Sequence, residues 1–131
     1  MSELSEFIIS KYPPCSEWPE GRIDEWANWA RSMGYYCECR KDGTITAIAI
    51  ARPTNGIPVD HYEHEEEGDT IYVDLVICSH PLAFRALIRA MFGRFGWGRD
   101  SIAFKRFFKR QSDKHYKYNY KKFITKVLQN G

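Results

Sequence analysis

The sequence has no apolar run approaching the roughly 20 residues that span a bilayer, so neither a membrane-crossing helix nor a membrane partner is expected. Its first residues, MSELSEFIISKYPPC, lack a basic stretch ahead of an apolar one and carry acids instead, unlike a secretory leader. Cysteine is sparse and is not laid out as a disulfide frame. Cys15, Cys37, Cys39 and Cys78 fall in or beside apolar stretches and read as reduced thiols, which points to the cytoplasm. Metal-ligand spacing is lacking too: Cys37 and Cys39 with His61 and His64 match no zinc knuckle, and no metal is expected. No internal repeat or low-complexity segment is present. Acidic residues almost vanish after residue 93, where only Asp100 and Asp113 remain.

That last absence polarises the chain. Residues 1–93 carry 8 Lys/Arg and 15 Asp/Glu, a net −7, whereas residues 94–131 carry 11 and 2, a net +9, so the formal charge of +2 hides a split. The basic segment interleaves Phe104, Phe107, Phe108, Tyr116, Tyr118 and Tyr120 with its cations, a mixture suited to nucleic acid or to an anionic partner such as an acidic protein. Lys105, Arg106, Lys109 and Arg110 are the candidate phosphate contacts, and a solvated basic face is the other reading of them. A hydrophobic content of 44% with 15% aromatics excludes a disordered chain, and 131 residues is the size of one domain.

Periodicity predicts the elements. Ser2 to Lys11 and Arg22 to Met33 read as helices, the second with Ile23, Trp26, Ala27, Ala30 and Met33 on one face and Gly34 as its stop. Asp42-Gly43 between Tyr35 to Lys41 and Thr44 to Arg52 is a strong hairpin signal. Residues 53–68, with their acidic run Glu63 to Glu67, read as a solvated loop or the frayed start of the next strand. Thr70 to Cys78 is dominated by β-branched, aromatic and aliphatic residues, with Asp74 its single charge, so it reads as a strand buried on both faces in the middle of a sheet. Ser79-His80-Pro81 then opens a helix with Phe84, Leu87, Ile88, Met91 and Phe95 on one side. Ser101 to Arg106 and Lys114 to Tyr120 read as strands, and Lys121 to Gln129 as a closing helix. The fold class is α/β in the broad sense, α+β if mostly antiparallel: a mixed, twisted sheet with helices on both faces.

A buried strand running straight into a helix aims the helix's first N–H groups, at Leu82, Ala83 and Phe84, at whatever lies beyond the strand. Arg85 and Arg89 would add positive charge there. Asp74 reads either as a general base or orienting group in a cleft, or as the partner of a buried arginine. His80 reads as a proton relay or as a helix cap.

This order of elements resembles the GNAT superfamily of acyl-CoA-dependent transferases. The stretch Met33 to Ile45, with its DG turn, resembles the family's second and third strands. Ile71 to Ile77 followed by Pro81 to Phe92 looks like its fourth strand and acyl-CoA helix, and the Asp within that strand is similar to one in the toxin-activating lysine acyltransferases. Small phage-encoded proteins carry reduced versions of the fold. The resemblance implies a single GNAT-like domain, acetyl-CoA or another acyl-CoA as donor, and an amine-bearing acceptor. It implies backbone amides at Val76, Ile77 and Cys78 to orient the thioester, Asp74 or His80 as base, and a tyrosine such as Tyr118 as general acid, although Tyr116, Tyr118 and Tyr120 read equally as packing. The alternative is a non-catalytic binding or structural protein of the same fold that uses its basic segment on an anionic partner. The absence of glycine from residues 79–84 and the missing N–H of Pro81 weigh for that alternative.

Overall fold

The computed structural model describes residues 2–11, 17–19, 21–78, 80–107 and 111–129, with backbone only at 106, 107 and 111–114. Among them the chain forms helices α1 (Glu3–Lys11) and α2 (Arg22–Met33), strands β1 (Tyr36–Lys41), β2 (Thr44–Thr54) and β3 (Thr70–Ile77), helix α3 (Pro81–Phe95), strands β4 (Ser101–Phe107) and β5 (Gln111–Asn119), and helix α4 (Tyr120–Gln129). None of the described helices is long and apolar enough to cross a membrane.

Local chemistry sets these limits. Ile23, Trp26, Ala27 and Ala30 give α2 one buried face, and Gly34, in the left-handed region at φ 78°, turns its N–H back onto the helix's last carbonyls. Asp42 and Gly43 both adopt positive φ, 53° and 80°, which makes the two-residue turn whose twist suits a β-hairpin. Every residue of β2 from Ala47 to Thr54 is buried, so this strand is covered on both faces.

The five strands lie in the order β1-β2-β3-β4-β5, antiparallel except for the β3–β4 pair, which α3 connects as a crossover. The α+β architecture expected from the sequence is the one observed, with β3 central. One face carries Glu38, Ile48, Ile50, Arg52 and Tyr72 and is covered by α1 and α2; Arg31 of α2 pairs with Glu38. The other carries Cys37, Ala49, Val76 and Phe104, under α3 and α4. There the Cys37 thiol meets the Leu87 carbonyl at 3.8 Å, and Phe104 packs on Phe123 with ring centroids 6.2 Å apart.

Two irregularities coincide on β3. Its register against β2 runs Ile50↔Leu75 and then Ala51↔Val73, so Asp74 is an extra, unopposed residue, a β-bulge. Its pairing with β4 runs only from Thr70↔Ser101 to Val73↔Phe104, although β3 continues to Ile77 and β4 to Phe107. From Asp74 onward β3 keeps β2 as a neighbour and has no strand pairing on its other edge among the described residues.

The connection between β2 and β3 is exposed along its acidic run from Glu63 to Glu67, as expected of a solvated loop, and aromatic and arginine contacts fasten it to the domain. Trp29 meets Tyr62 at 5.0 Å between ring centroids, and the Trp26 indole N–H donates to the His61 carbonyl at 3.3 Å. Arg99 donates to the carbonyls of Glu66 and Gly68, both at 2.7 Å. The Glu66 carboxylate takes hydrogen bonds from Arg94, at 2.6 Å, and the Tyr35 hydroxyl, at 2.8 Å. Gly68 has to be glycine, since a Cβ there would stand 2.3 Å from the Thr54 carbonyl oxygen.

The hydrogen bond from Arg94, with help from Tyr35 and the charge of Arg99, holds the Glu66 carboxyl below its ordinary range. A depressed folded-state value contributes stability that is present above the unfolded value, roughly 4.3, and lost as pH falls through the folded one. Glu66→Gln is therefore expected to lose less stability than wild type between about pH 6 and pH 3 in urea unfolding. Equal losses would contradict the assignment.

Candidate active site at the β3–β4 opening

Arg52 organises this end of the sheet. Its side chain is 2% exposed and Asp74's is 6%, and the two meet through paired bonds, Nε to Oδ2 and Nη2 to Oδ1, each 3.0 Å. The remaining guanidinium nitrogen, Nη1, donates to the carbonyls of Asp60 and Glu63, both at 2.7 Å. A buried guanidinium is tolerable only when its charge is matched and its donors are taken, and here every nitrogen has an acceptor. Of the two roles open to Asp74 from sequence, partnership with a buried arginine is the one its contacts express. Burial pushes its carboxyl up to about 7, against the lowering effect of Arg52.

Beside this pair the Arg52 guanidinium lies 5.5 Å from the Tyr72 ring centre. Tyr72, itself 8% exposed, reaches across Ala103 of β4 to His115 of β5, hydroxyl to Nε2 at 3.0 Å. Ala103 is fully buried and too small to block the ring's path. Burial, followed by the nearby Asp74 charge, pushes the Tyr72 hydroxyl up, so it keeps its proton at neutral pH. His115 is half-buried and pairs in register with Lys105, just past the last β3–β4 pair. On the loop side His61 packs against the rings of Trp18, at 5.3 Å, and Trp26, at 6.1 Å, which also touch each other. Burial and then Arg52 push its imidazole down, toward the neutral form.

At the other side of the opening lie the residues that the acyl-CoA resemblance points to. Val76 and Ile77 are half-buried on the β3 edge that lacks a strand partner, and Cys78 follows them. His80 is exposed and caps α3, its Nδ1 accepting the Leu82 N–H at 3.1 Å. The cap reading of His80 is thus its observed contact. With Pro81 lacking an N–H and Leu82's taken, the first turn of α3 offers a phosphate less than a free helix start would. Ala83 and Phe84 are half-buried, and the Phe84 N–H bonds the His80 carbonyl in the ordinary helical way. Arg85 donates from Nη2 to the Leu128 carbonyl at the end of α4, and its buried Nε has no hydrogen-bond partner.

Not all candidates converge. Tyr118 stands on the face opposite Tyr72, stacked on Phe104 at 5.8 Å and near Phe123 at 6.2 Å. Lys105 lies beside His115 in register, Arg106 is described in its backbone only, and Lys109 and Arg110 lie outside the described residues. Among the described residues no cluster of three or more metal-capable side chains occurs. Sequence reasoning missed Arg52, Tyr72 and His115. A lone arginine in an otherwise apolar strand was the available signal for the first; the other two meet across 43 residues and carry no local mark.

Arg52→Met keeps the apolar stem but strips Asp74 and two loop carbonyls of their donor. It is expected to cost about 3 kcal/mol or more in denaturant unfolding, and a loss under about 1 kcal/mol would contradict the pairing. Asp74→Asn reads the protonation state. A folded value of about 7 lies above the unfolded one, so the native chain holds the extra proton between them and wild type loses stability as pH rises through that window. The asparagine variant has nothing to titrate, so its stability relative to wild type should improve between about pH 5 and pH 8. The same deficit at both ends would mean a carboxylate ionised throughout.

Set against known proteins, the chain matches no family model, no curated protein sequence and no solved structure.

Proposed function

We propose that the chain is a GNAT-like acyltransferase, moving an acyl group from a CoA thioester to an amine. The observation that carries this reading is the opening between β3 and β4, which begins at the Asp74 bulge and faces the start of α3. A strand edge without a partner presents N–H groups to a ligand, and those of the Val76 to Cys78 stretch would hold the thioester carbonyl as negative charge develops on its oxygen. The amine attacks the carbonyl carbon, the new C–N bond forms, and the C–S bond breaks. His115 takes the proton that leaves the amine, and Tyr72, joined to His115, returns a proton to the departing thiolate. Asp74, tied to Arg52, positions the bulge rather than exchanging the proton itself. Arg85, whose buried Nε has no hydrogen-bond partner, would lend its positive charge to the donor's phosphates.

A second reading, a non-catalytic binding protein of the same fold, is favoured by one feature: Pro81 and the His80 cap on Leu82 use up two positions at the helix start. The reduced, phage-encoded versions of the fold that the sequence resembles would fit it.

Calorimetric titration with acetyl-CoA and longer acyl-CoAs separates the two. The enzyme reading expects saturable binding, together with acyl transfer to an amine acceptor that falls about 100-fold or more in His115→Ala at unchanged donor affinity. No heat with any acyl-CoA would leave the binding protein, and donor binding with full activity in His115→Ala would remove His115 from the mechanism.

A further inference from the structure

The basic aromatic segment is absorbed neither by the β3–β4 opening nor by the loop contacts of Arg94 and Arg99. Its described part gathers at the junction of β5 and α4. Two large aromatic rings are exposed there, Trp97 at 47% and Tyr118 at 46%. Each is supported by other rings: Trp97 by Phe92, 4.3 Å away, and Tyr118 by Phe104 and Phe123 at 5.8 and 6.2 Å. Beside them on α4, Lys121, Lys122 and Lys126 are exposed, and Lys121 places its Nζ 5.8 Å from the centre of the Trp97 ring. None of these lysines has a salt-bridge partner among the described residues. After Asp113 the chain has no acid at all.

This arrangement is costly for the free protein. Two exposed aromatics forgo burial, and Lys121 and Lys122 sit in the first turn of α4, which carries no acid and where the helix's positive end disfavours cations. A ligand with closely spaced negative charges and flat, stackable faces relieves both costs. Carboxylates of an acidic protein supply the charge without the faces, and a duplex hides its faces inside the base stack. We infer that the β5–α4 junction binds single-stranded nucleic acid, its bases stacking on Trp97 and Tyr118 and its phosphates contacting Lys121 and Lys122. The inference does not rest on the acyl-transfer reading, since none of these residues lines the β3–β4 opening.

Fluorescence anisotropy with a labelled oligothymidylate of about 12 nucleotides, beside a duplex of equal length, tests it on the full chain. The single strand is expected to bind more tightly than the duplex, and affinity should fall linearly on a log–log plot between about 50 and 200 mM salt. Lys121→Gln with Lys122→Gln should flatten that slope by about 1.4, and Tyr118→Ala should weaken binding roughly tenfold at every salt concentration. Thermal melting checks that each variant folds, and the surface lysine pair keeps the test decisive if the aromatic variant does not. No binding at low salt, equal affinity for duplex, or binding unchanged in both variants would overturn the inference. So would binding to phosphatidylserine vesicles without binding to the oligonucleotide, which would make the patch a lipid-surface contact.

Discussion

The buried contact between Arg52 and Asp74 is the constraint on which this end of the molecule depends. A guanidinium removed from water must match its charge and occupy its donors, and Arg52 does so with partners from two separate places. Asp74 comes from the neighbouring strand, and the carbonyls of Asp60 and Glu63 come from the loop between β2 and β3. Satisfying one side chain therefore fixes three segments at once. It also accounts for a charged residue in a strand whose other members are almost all apolar or aromatic.

The bulge follows from the same demand. For Asp74 to present its carboxylate to Arg52 while Leu75 and Tyr72 keep their places opposite Ile50 and Arg52, one residue has to be left without a β2 partner. Beyond the bulge β3 no longer pairs with β4, so the sheet is closed at Val73 and open from Asp74 onward. Tyr72 and His115 lie at that boundary, joined over the small Ala103, beside β3 backbone groups that have no partner on the β4 side among the described residues. Loop packing isolates the site further. Arg94 and Arg99 fasten the acidic run through Glu66 and Gly68, so part of the negative charge read from the sequence is consumed internally rather than offered to a partner.

Much of the fold was legible because its limits are written in local chemistry. Gly34, Asp42-Gly43 and Pro81 stop or start elements by backbone conformation alone, and the observed boundaries fall within a few residues of those the periodicity predicts. The central place of β3 followed from its two buried faces. Asp74 was legible as a residue needing a reason. Its partner was not, since Arg52 stands 22 residues away and the pairing depends on a strand register that no short-range pattern encodes. The loop was legible as solvated from its acids, which are exposed, but the contacts of His61, Tyr62 and three distant arginines that fasten it were not. His115 escaped notice because its meaning comes only from Tyr72, two strands away.

If Arg52 is the clamp, the loop should come loose before the sheet does. The Glu65 amide, bonded to the Pro53 carbonyl at 2.8 Å, reports on the loop, and amides of Ile48 and Ile50 report on the sheet. Native-state hydrogen exchange on wild type and Arg52→Met measures both together. Loss of protection at Glu65 with slow exchange retained at Ile48 and Ile50 is the predicted result. Unchanged protection at Glu65 in a folded variant would contradict the account, because the loop would then be held by contacts other than the buried guanidinium.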